Sequence, residues 1–473
     1  MSLQRSLNSR QISMIAIGGS IGTGLFLASG NTIHLAGPGG ALLAYTIMGV
    51  MVYFLMTSLG EMSAFMPTSG SFYTYAARFV DPALGFAMGF NYWYNWAITV
   101  AAEIVAATVV MKFWFPDASP FLWSGVFLSL FVGLNIFSAR GFGEAEYWLS
   151  LTKIIVVVAF IILGGAMIFG LAGHHRVGFS YWQLNGGPFQ GGFWALFGVF
   201  MVVGFSFQGT ELIGVAAGET VDPGKAIPAA VKKVFWRIII FYILTILVIS
   251  CLIPYTSNQL MSGEVKASPF TLVFENNGIP FVASLMNGVI LVAILSAGNS
   301  GMYASTRMLW YLSHQKHVPK IFSRVTERGI PVYALLATAA VGLLAFLTAS
   351  FGNGVVYLWL LNASSLSGFI AWLGIAISHY RFRKAYVLQG GRIKDLPYVA
   401  KGYPYAPLLA FALCIIIIAG QNYNAFLKEH VDWQGLVVSY IGVPLFLVLW
   451  LGYKFSRKTK LVNLEECDFK VWP

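Results

Sequence analysis

The chain has 473 residues, of which 58% are hydrophobic and only 10% charged, with a mean hydropathy of +0.73. Soluble domains carry about 25% charged residues, so a soluble globular protein is excluded and a polytopic membrane protein remains. A formal net charge of +11 is compatible with a polyanionic partner, but its distribution along the chain follows membrane topology instead.

Apolar runs of about 20 residues without strand alternation read as membrane helices, and the predicted class is all-α. About twelve spans are expected, at roughly 12–33, 38–65, 84–113, 121–138, 146–171, 193–218, 231–254, 279–312, 332–350, 354–379, 404–424 and 434–455. Residues 1–11 then form an N-terminal segment, 12–171 the first five spans, 193–382 the next five, 404–455 the last two and 456–473 a tail. With both termini on one side, 24 of the 29 Lys and Arg fall on that side, four fall opposite and Lys153 lies within a span. The positive-inside rule places both termini in the cytoplasm. The runs Arg381-Phe382-Arg383-Lys384 and Lys454 to Lys460 are then topology signals. The expected surroundings are membrane lipid, with no nucleic acid partner.

The first span contains Gly18-Gly19-Ser20-Ile21-Gly22-Thr23-Gly24. Each Gly costs about 1 kcal/mol relative to Ala inside a helix, so the helix is predicted to break there. Broken backbone at bilayer depth persists only where protein buries it or water reaches it, and its free N–H and C=O groups can hold a small zwitterion. The plainer alternative is a glycine-rich packing face. Later in the chain, Glu61 lies near the cytoplasmic end of the second span, where snorkelling or capping is expected. Glu103 follows the aromatic run Tyr92, Trp93, Tyr94 and Trp96 in the third span, and Lys153 lies in the fifth. Intramembrane charges are expensive and mark function by default. Lys153 is expected to serve in coupling or gating, by gaining and losing a proton if burial lowers its basicity; a permanent ion pair with a glutamate is the alternative.

A second disturbed helix runs from Gly204 through Gln208-Gly209-Thr210-Glu211 to Gly214 in the sixth span. If each half holds five spans, the sixth opens the second half, and an odd number of spans turns that half upside down. Two interrupted helices in corresponding positions are the strongest sequence pointer to a transporter site. Glu211 is expected to attract a cationic substrate or join a proton relay, and Glu103 to bind a distal amine, with structural ion pairing as the alternative for both. Tyr303 and Asn299 are pocket candidates in the eighth span. His314 and His317, with no nearby cysteine or acid cluster, read as solvated; Cys251, Cys414 and Cys467 have no metal spacing, so no metal or other cofactor is expected. No hydrolase or metalloprotease motif is present, and an enzyme is not expected. A receptor as sole role is disfavoured by the lack of a cytoplasmic domain, although a membrane sensor or regulator remains a partner to consider for the loops.

These motifs resemble the amino acid–polyamine–organocation superfamily, in its amino acid permease branch. The residues that carry the resemblance are Met14 to Phe26, Pro38 to Ala41, Gly60-Glu61-Met62, Pro67 to Gly70, Phe205 to Gly214, Gly218-Glu219, Asp222-Pro223, Leu295 to Tyr303 and Gly374 to Arg383. The form Gln208-Gly209-Thr210-Glu211-Leu212 is similar to basic amino acid permeases, and across the chain the resemblance is strongest to bacterial lysine-specific ones. The resemblance implies an inverted five-helix repeat of the leucine transporter type plus two C-terminal helices. It also implies proton-driven L-lysine uptake across the inner membrane, with no sodium. By position, the N–H groups of Thr23 and Gly24 would bind the carboxylate, with Gly22 allowing approach. Carbonyls of Ser20, Phe205 and Gln208 would take the α-amine, Gly209 and Glu211 would complete that side, and Phe205 would gate. Lys153 matches the lysine that replaces a sodium site. A lysine exchanger, or a permease for arginine or ornithine, is the alternative.

Overall fold

The computed structural model describes residues 8–18, 21–137, 139–171, 178–185, 187–260, 268–278, 280–423, 425, 431 and 433–470. These residues contain helices and no strand. In order, α1 is Ser9–Gly18, α2 Thr23–Phe26, α3 Ala28–Phe65, α4 Ser71–Phe79, α5 Pro82–Met111, α6 Pro120–Phe137 and α7 Ala139–Ile168. Then come α8 Gly192–Phe207, α9 Leu212–Ala216, α10 Pro223–Arg237, α11 Leu244–Leu252, α12 Pro269–Asn276 and α13 Pro280–His314. The rest are α14 Val332–Gly342, α15 Thr348–Phe351, α16 Asn353–Leu388, α17 Tyr405–Gly420, α18 Trp433–Tyr440 and α19 Gly442–Arg457. Eight helical stretches among these residues are long and apolar enough to cross a bilayer, and α6 and α17 are shorter apolar helices.

The expected boundary between the first two spans lies inside α3. Gly37 has φ 73° and ψ 171°, outside any helix, and Pro38 supplies no N–H to continue the ladder. The amides of Gly39 and Gly40 turn instead to the carbonyl of Pro188, at 2.8 and 3.2 Å, while Gln190 N donates to Ala36 O at 3.1 Å. A methyl on Gly37 would lie 2.7 Å from Pro188 O. The loop before α8 thus pins the corner where the first span turns into the second.

At the centre stands α5, which packs on α4, α13 and α16. It is apolar over most of its surface, as a helix surrounded by other helices is, apart from buried polar residues that include Asn95, Thr99 and Glu103. The outermost faces are apolar and exposed, with Ile162 on α7, Leu409 on α17 and Val448 on α19 among them. A continuous apolar exterior of this kind meets lipid rather than water.

The segment after α19 folds back over one end of the bundle. Asp81 caps α5 by accepting from Ala83 N at 2.9 Å. Its carboxylate also accepts from Lys454 Nζ at 2.7 Å and Thr459 Oγ1 at 2.8 Å. Burial works to raise the Asp81 pKa, but Lys454, the Ala83 amide and Thr459 overcome it and hold the carboxyl below its ordinary value. A depressed folded-state pKa stabilises the fold above the unfolded value, and that contribution is lost as pH falls through the folded one. Asp81→Asn is therefore expected to lower the melting temperature of the purified protein at pH 7. The gap to wild type should close as pH is lowered below about 4; a gap unchanged across that range would show that the charge of Asp81 does not matter.

Candidate functional site

The two interrupted helices meet at bilayer depth. Gly22 is extended, at φ −141° and ψ −151°, and α2 starts afresh at Thr23. The first amides of a helix have no partner within it. Gly24 lies against the other broken helix: a methyl there would stand 2.4 Å from Ser206 Cα and 2.7 Å from Ser206 N. A methyl on Gly22 would lie 3.0 Å from Ala297 Cβ and 3.1 Å from Glu103 Oε1. Gly24 lets α2 meet the backbone of α8, and Gly22 makes room for side chains of α5 and α13. Gly19 and Ser20 lie outside the described residues, so the Ser20 carbonyl is not placed.

Thr23 Oγ1 donates to Glu103 Oε1 at 3.0 Å. Both residues are buried, and Glu103 Oε2 makes no hydrogen bond. Four and eight residues earlier on the same helix stand Thr99 and Asn95, a spacing that stacks side chains on one face. Ser364 Oγ of α16 lies 2.6 Å from Thr99 Oγ1, 2.8 Å from Asn95 Oδ1 and 3.1 Å from Gln208 Oε1.

The second break follows Phe207. Gln208 leaves the helix at φ −61° and ψ 149°, and Gly209 turns the chain at φ 93°. The Phe205 carbonyl accepts from Gln208 N at 3.2 Å, and its side chain is 5% exposed. Gln208 Nε2 donates to the carbonyls of Ser364 and Ser365 at 3.1 and 3.3 Å. Gly368 makes room for that amide, since a methyl there would lie 2.0 Å from Gln208 Nε2. Glu211 Oε1 accepts from Gly209 N at 3.1 Å, and Oε2 faces Trp372 Nε1 at 3.4 Å. This carboxylate takes over an amide that the helix no longer uses.

The remaining candidates lie around this crossing or away from it. Lys153 Nζ is 3.7 Å from Glu146 Oε1, with both side chains fully buried, and Glu146 Oε1 also accepts from Ser296 Oγ at 2.7 Å. Tyr303 belongs to a different cluster, donating to Glu219 Oε1 at 2.6 Å beneath the Arg307 guanidinium. Asn299 Oδ1 accepts from Asn135 Nδ2 at 2.7 Å. Glu61 does not snorkel: it is fully buried and accepts from the Arg383 guanidinium and from Ala400 N at 2.6 Å. Its place inside the helix packing, with an arginine to neutralise it, explains the difference.

Several residues of the site were not singled out from the sequence. Asn95 and Thr99, eight and four residues before Glu103, carry a readable signal in that spacing. Arg237, counted above among the cytoplasmic charges, is 1% exposed and donates from Nη2 to Thr210 Oγ1 at 2.7 Å. The signal there was the apolar run Ile238-Ile239-Ile240 directly after it, which pulls the arginine into the span. Glu146 and Ser364 had no comparable signal, because only packing shows what they touch.

The sequence model of amino acid permeases matches residues 11–466. The chain belongs to the amino acid permease family. It is 58% identical to the lysine-specific permease LysP of Escherichia coli (strain K12), covering 99% of this chain and 96% of that protein. It is 52% identical to the lysine-specific permease LysP of Lactococcus lactis subsp. cremoris (strain MG1363), over 98% and 92%. The histidine permease HisP of the same organism is 48% identical, over 98% of each. The chain is thus a multi-pass membrane transporter and not an enzyme.

Gly24→Ala places a methyl on backbone that has no rotamer by which to yield. Overpacking of this kind costs about 1–3 kcal/mol. Amino acid uptake per unit of membrane-inserted protein is expected to fall at least about tenfold. Gly198→Ala, where a methyl meets nothing within 4 Å, should transport normally. Equal activity in the two variants would remove the close crossing from the site.

Proposed function

We propose that this chain imports L-lysine together with a proton across a bacterial cytoplasmic membrane, by alternating access, with both termini cytoplasmic. Counting α1, α2 and α3 up to Gly37 as one span and the rest of α3 as the second gives twelve spans. They fall into two inverted groups of five, followed by two more built from α17 and from α18 with α19. The breaks before α2 and after α8 then open the two repeats at equivalent places. Two relatives at 58% and 52% identity are named for lysine, and this supports lysine as the substrate.

In this reading the α-carboxylate lies on the amides of Thr23 and Gly24, where α2 begins and no intrahelical acceptor exists. The α-amine lies on carbonyls of the two breaks, with Gln208 and Gly209 shaping the second, and Phe205 closes over the ligand. The observation that carries the reading is the charge balance around the crossing. Glu103, Glu146 and Glu211 are buried with Lys153 and Arg237, three carboxylates against two cations among the described residues. Lys153 faces Glu146, and Arg237 reaches the turn that holds Glu211. Glu103 shares Lys153 with Glu146, and with its second oxygen making no hydrogen bond it is the group best placed to meet an ammonium or a proton. An intramembrane carboxylate beside a broken helix is where a cationic ligand or a coupling proton lowers the energy most.

The decisive test is radiolabelled lysine uptake into proteoliposomes, with an inward proton gradient and no sodium, competed by arginine, ornithine and neutral amino acids. Gradient-driven accumulation blocked by lysine alone is expected. Uptake only into preloaded vesicles would make the protein an exchanger, and no lysine uptake at all would overturn the substrate. Two substitutions separate the roles. Glu103→Gln is expected to weaken lysine more than a neutral competitor, and an equal loss for both would make Glu103 structural. Lys153→Ala is expected to abolish gradient-driven accumulation in protein that still folds. Unchanged pH dependence in that variant would take Lys153 out of coupling.

A further inference from the structure

Unwinding the sixth span frees the carbonyls that the next turn would have bonded. In a continuous α-helix, Ser206 O would accept from residue 210 and Phe207 O from residue 211. Here Ser206 O accepts from Tyr242 Oη at 2.8 Å, and Phe207 O accepts from Thr210 Oγ1 at 2.6 Å and from Thr210 N at 3.4 Å. The Thr210 hydroxyl spends its one proton on that carbonyl, and its oxygen accepts from Arg237 Nη2 at 2.7 Å. Both freed carbonyls are therefore held, one directly and one through Thr210, by a single neighbouring helix.

Arg237 and Tyr242 are five residues apart. On an α-helix that spacing turns side chains about 140° away from each other. Between them, however, the backbone forms a π-turn over Ile238–Ile243. Its i→i+5 bonding puts more residues into each turn than an α-helix does, which narrows that divergence and lets both side chains reach the same unwound segment. The Tyr242 ring also stacks on Phe207, with centroids 4.1 Å apart. A π-turn gives up regular helix geometry and recurs at functional positions; here its effect is to aim two side chains at one unwound segment.

We propose that Arg237 is a positioning residue of the transport site, which with Tyr242 clamps the unwound turn Gln208–Glu211 in the shape that receives substrate. Arg237 does not touch the ligand. Its charge strengthens the Thr210 hydrogen bond, since charge-assisted bonds are about twice as strong as neutral ones. Through Thr210 it fixes the backbone that carries Gly209 and Glu211. The proposal rests on the reading that this turn binds substrate.

The test compares Arg237→Gln, Arg237→Lys, Thr210→Val and the double variant Arg237→Gln/Thr210→Val in proteoliposomes. KM and maximal rate for lysine are measured for each, alongside the melting temperature. Arg237→Gln is expected to raise KM by about tenfold or more, the scale of one charged hydrogen bond. Arg237→Lys, which keeps the charge and a donor, should recover most of that loss. Thr210→Val should reproduce the rise, and the double variant should be no worse than Arg237→Gln alone, because both break the same link. Unchanged KM in Arg237→Gln and Thr210→Val, even with a lowered melting temperature, would overturn the proposal and leave Arg237 structural. So would fully additive losses in the double variant. If Arg237→Gln fails to fold, Thr210→Val and Arg237→Lys decide by the same KM criterion. If wild type takes up another amino acid instead of lysine, the lysine reading falls. The same comparison made with that amino acid still decides the clamp.

Discussion

The approach of Gly24 to Ser206 without an intervening side chain is the constraint on which the rest of the molecule depends. Two broken helices can expose unpaired backbone to one another at bilayer depth only if nothing larger than hydrogen stands between them. Every neighbouring feature follows from accommodating that crossing. Gly22 admits Glu103 and Ala297, Gly368 admits the Gln208 amide, and the side chains of Tyr242, Thr210 and Glu211 take up backbone groups that the helix relinquished. In hydrocarbon each unsatisfied backbone group costs several kcal/mol, so the break persists only because side chains of its own turn and of a neighbouring helix satisfy it.

Charge is arranged in the same spirit. Removing one partner of a buried ion pair costs about 3–5 kcal/mol, because the other is left uncompensated. In two other clusters, Glu61 with Arg383 and Glu219 with Arg307 and Tyr303, an arginine answers the carboxylate. Around the crossing the balance differs, with one more carboxylate than cation among the described residues. A region that is neutral only when something positive joins it is suited to a site that a cation enters and leaves. The other two clusters, neutral by themselves, are suited to holding helices together.

The C-terminal segment adds a second level of organisation. The segment after α19 lies across the start of α5 and the end of α16. Val462 N donates to Val80 O at 2.9 Å, Arg78 Nη1 to Lys470 O at 2.6 Å, and Phe469 packs against Phe65, Phe79 and Phe382. Nothing in the composition of residues 456–473 sets them apart from an ordinary basic tail. Their role in joining three helix ends depends on surfaces contributed by residues hundreds of positions away.

What the sequence determined by itself was whatever hydropathy, glycine and proline encode locally. The apolar runs marked an all-helical membrane protein, and the glycines around Thr23 and Gly209 marked both interruptions. Glu103, Lys153 and Glu211 stood out because a charge in an apolar run is conspicuous without any structure. Which charges meet was decided by tertiary structure alone. Lys153 faces Glu146, a residue at the edge of its span that no pattern distinguished. Arg237, assigned to the cytoplasm by its place near Lys232 and Lys233, is buried beneath the second break. Tyr303 joins Glu219 and Arg307. The physical reason is that helix periodicity fixes the face on which a side chain lies but not the helix it confronts. In a bundle whose helices are nearly all apolar, hydrophobic contrast does not choose the partner; close packing at glycines and the pairing of buried polar groups do.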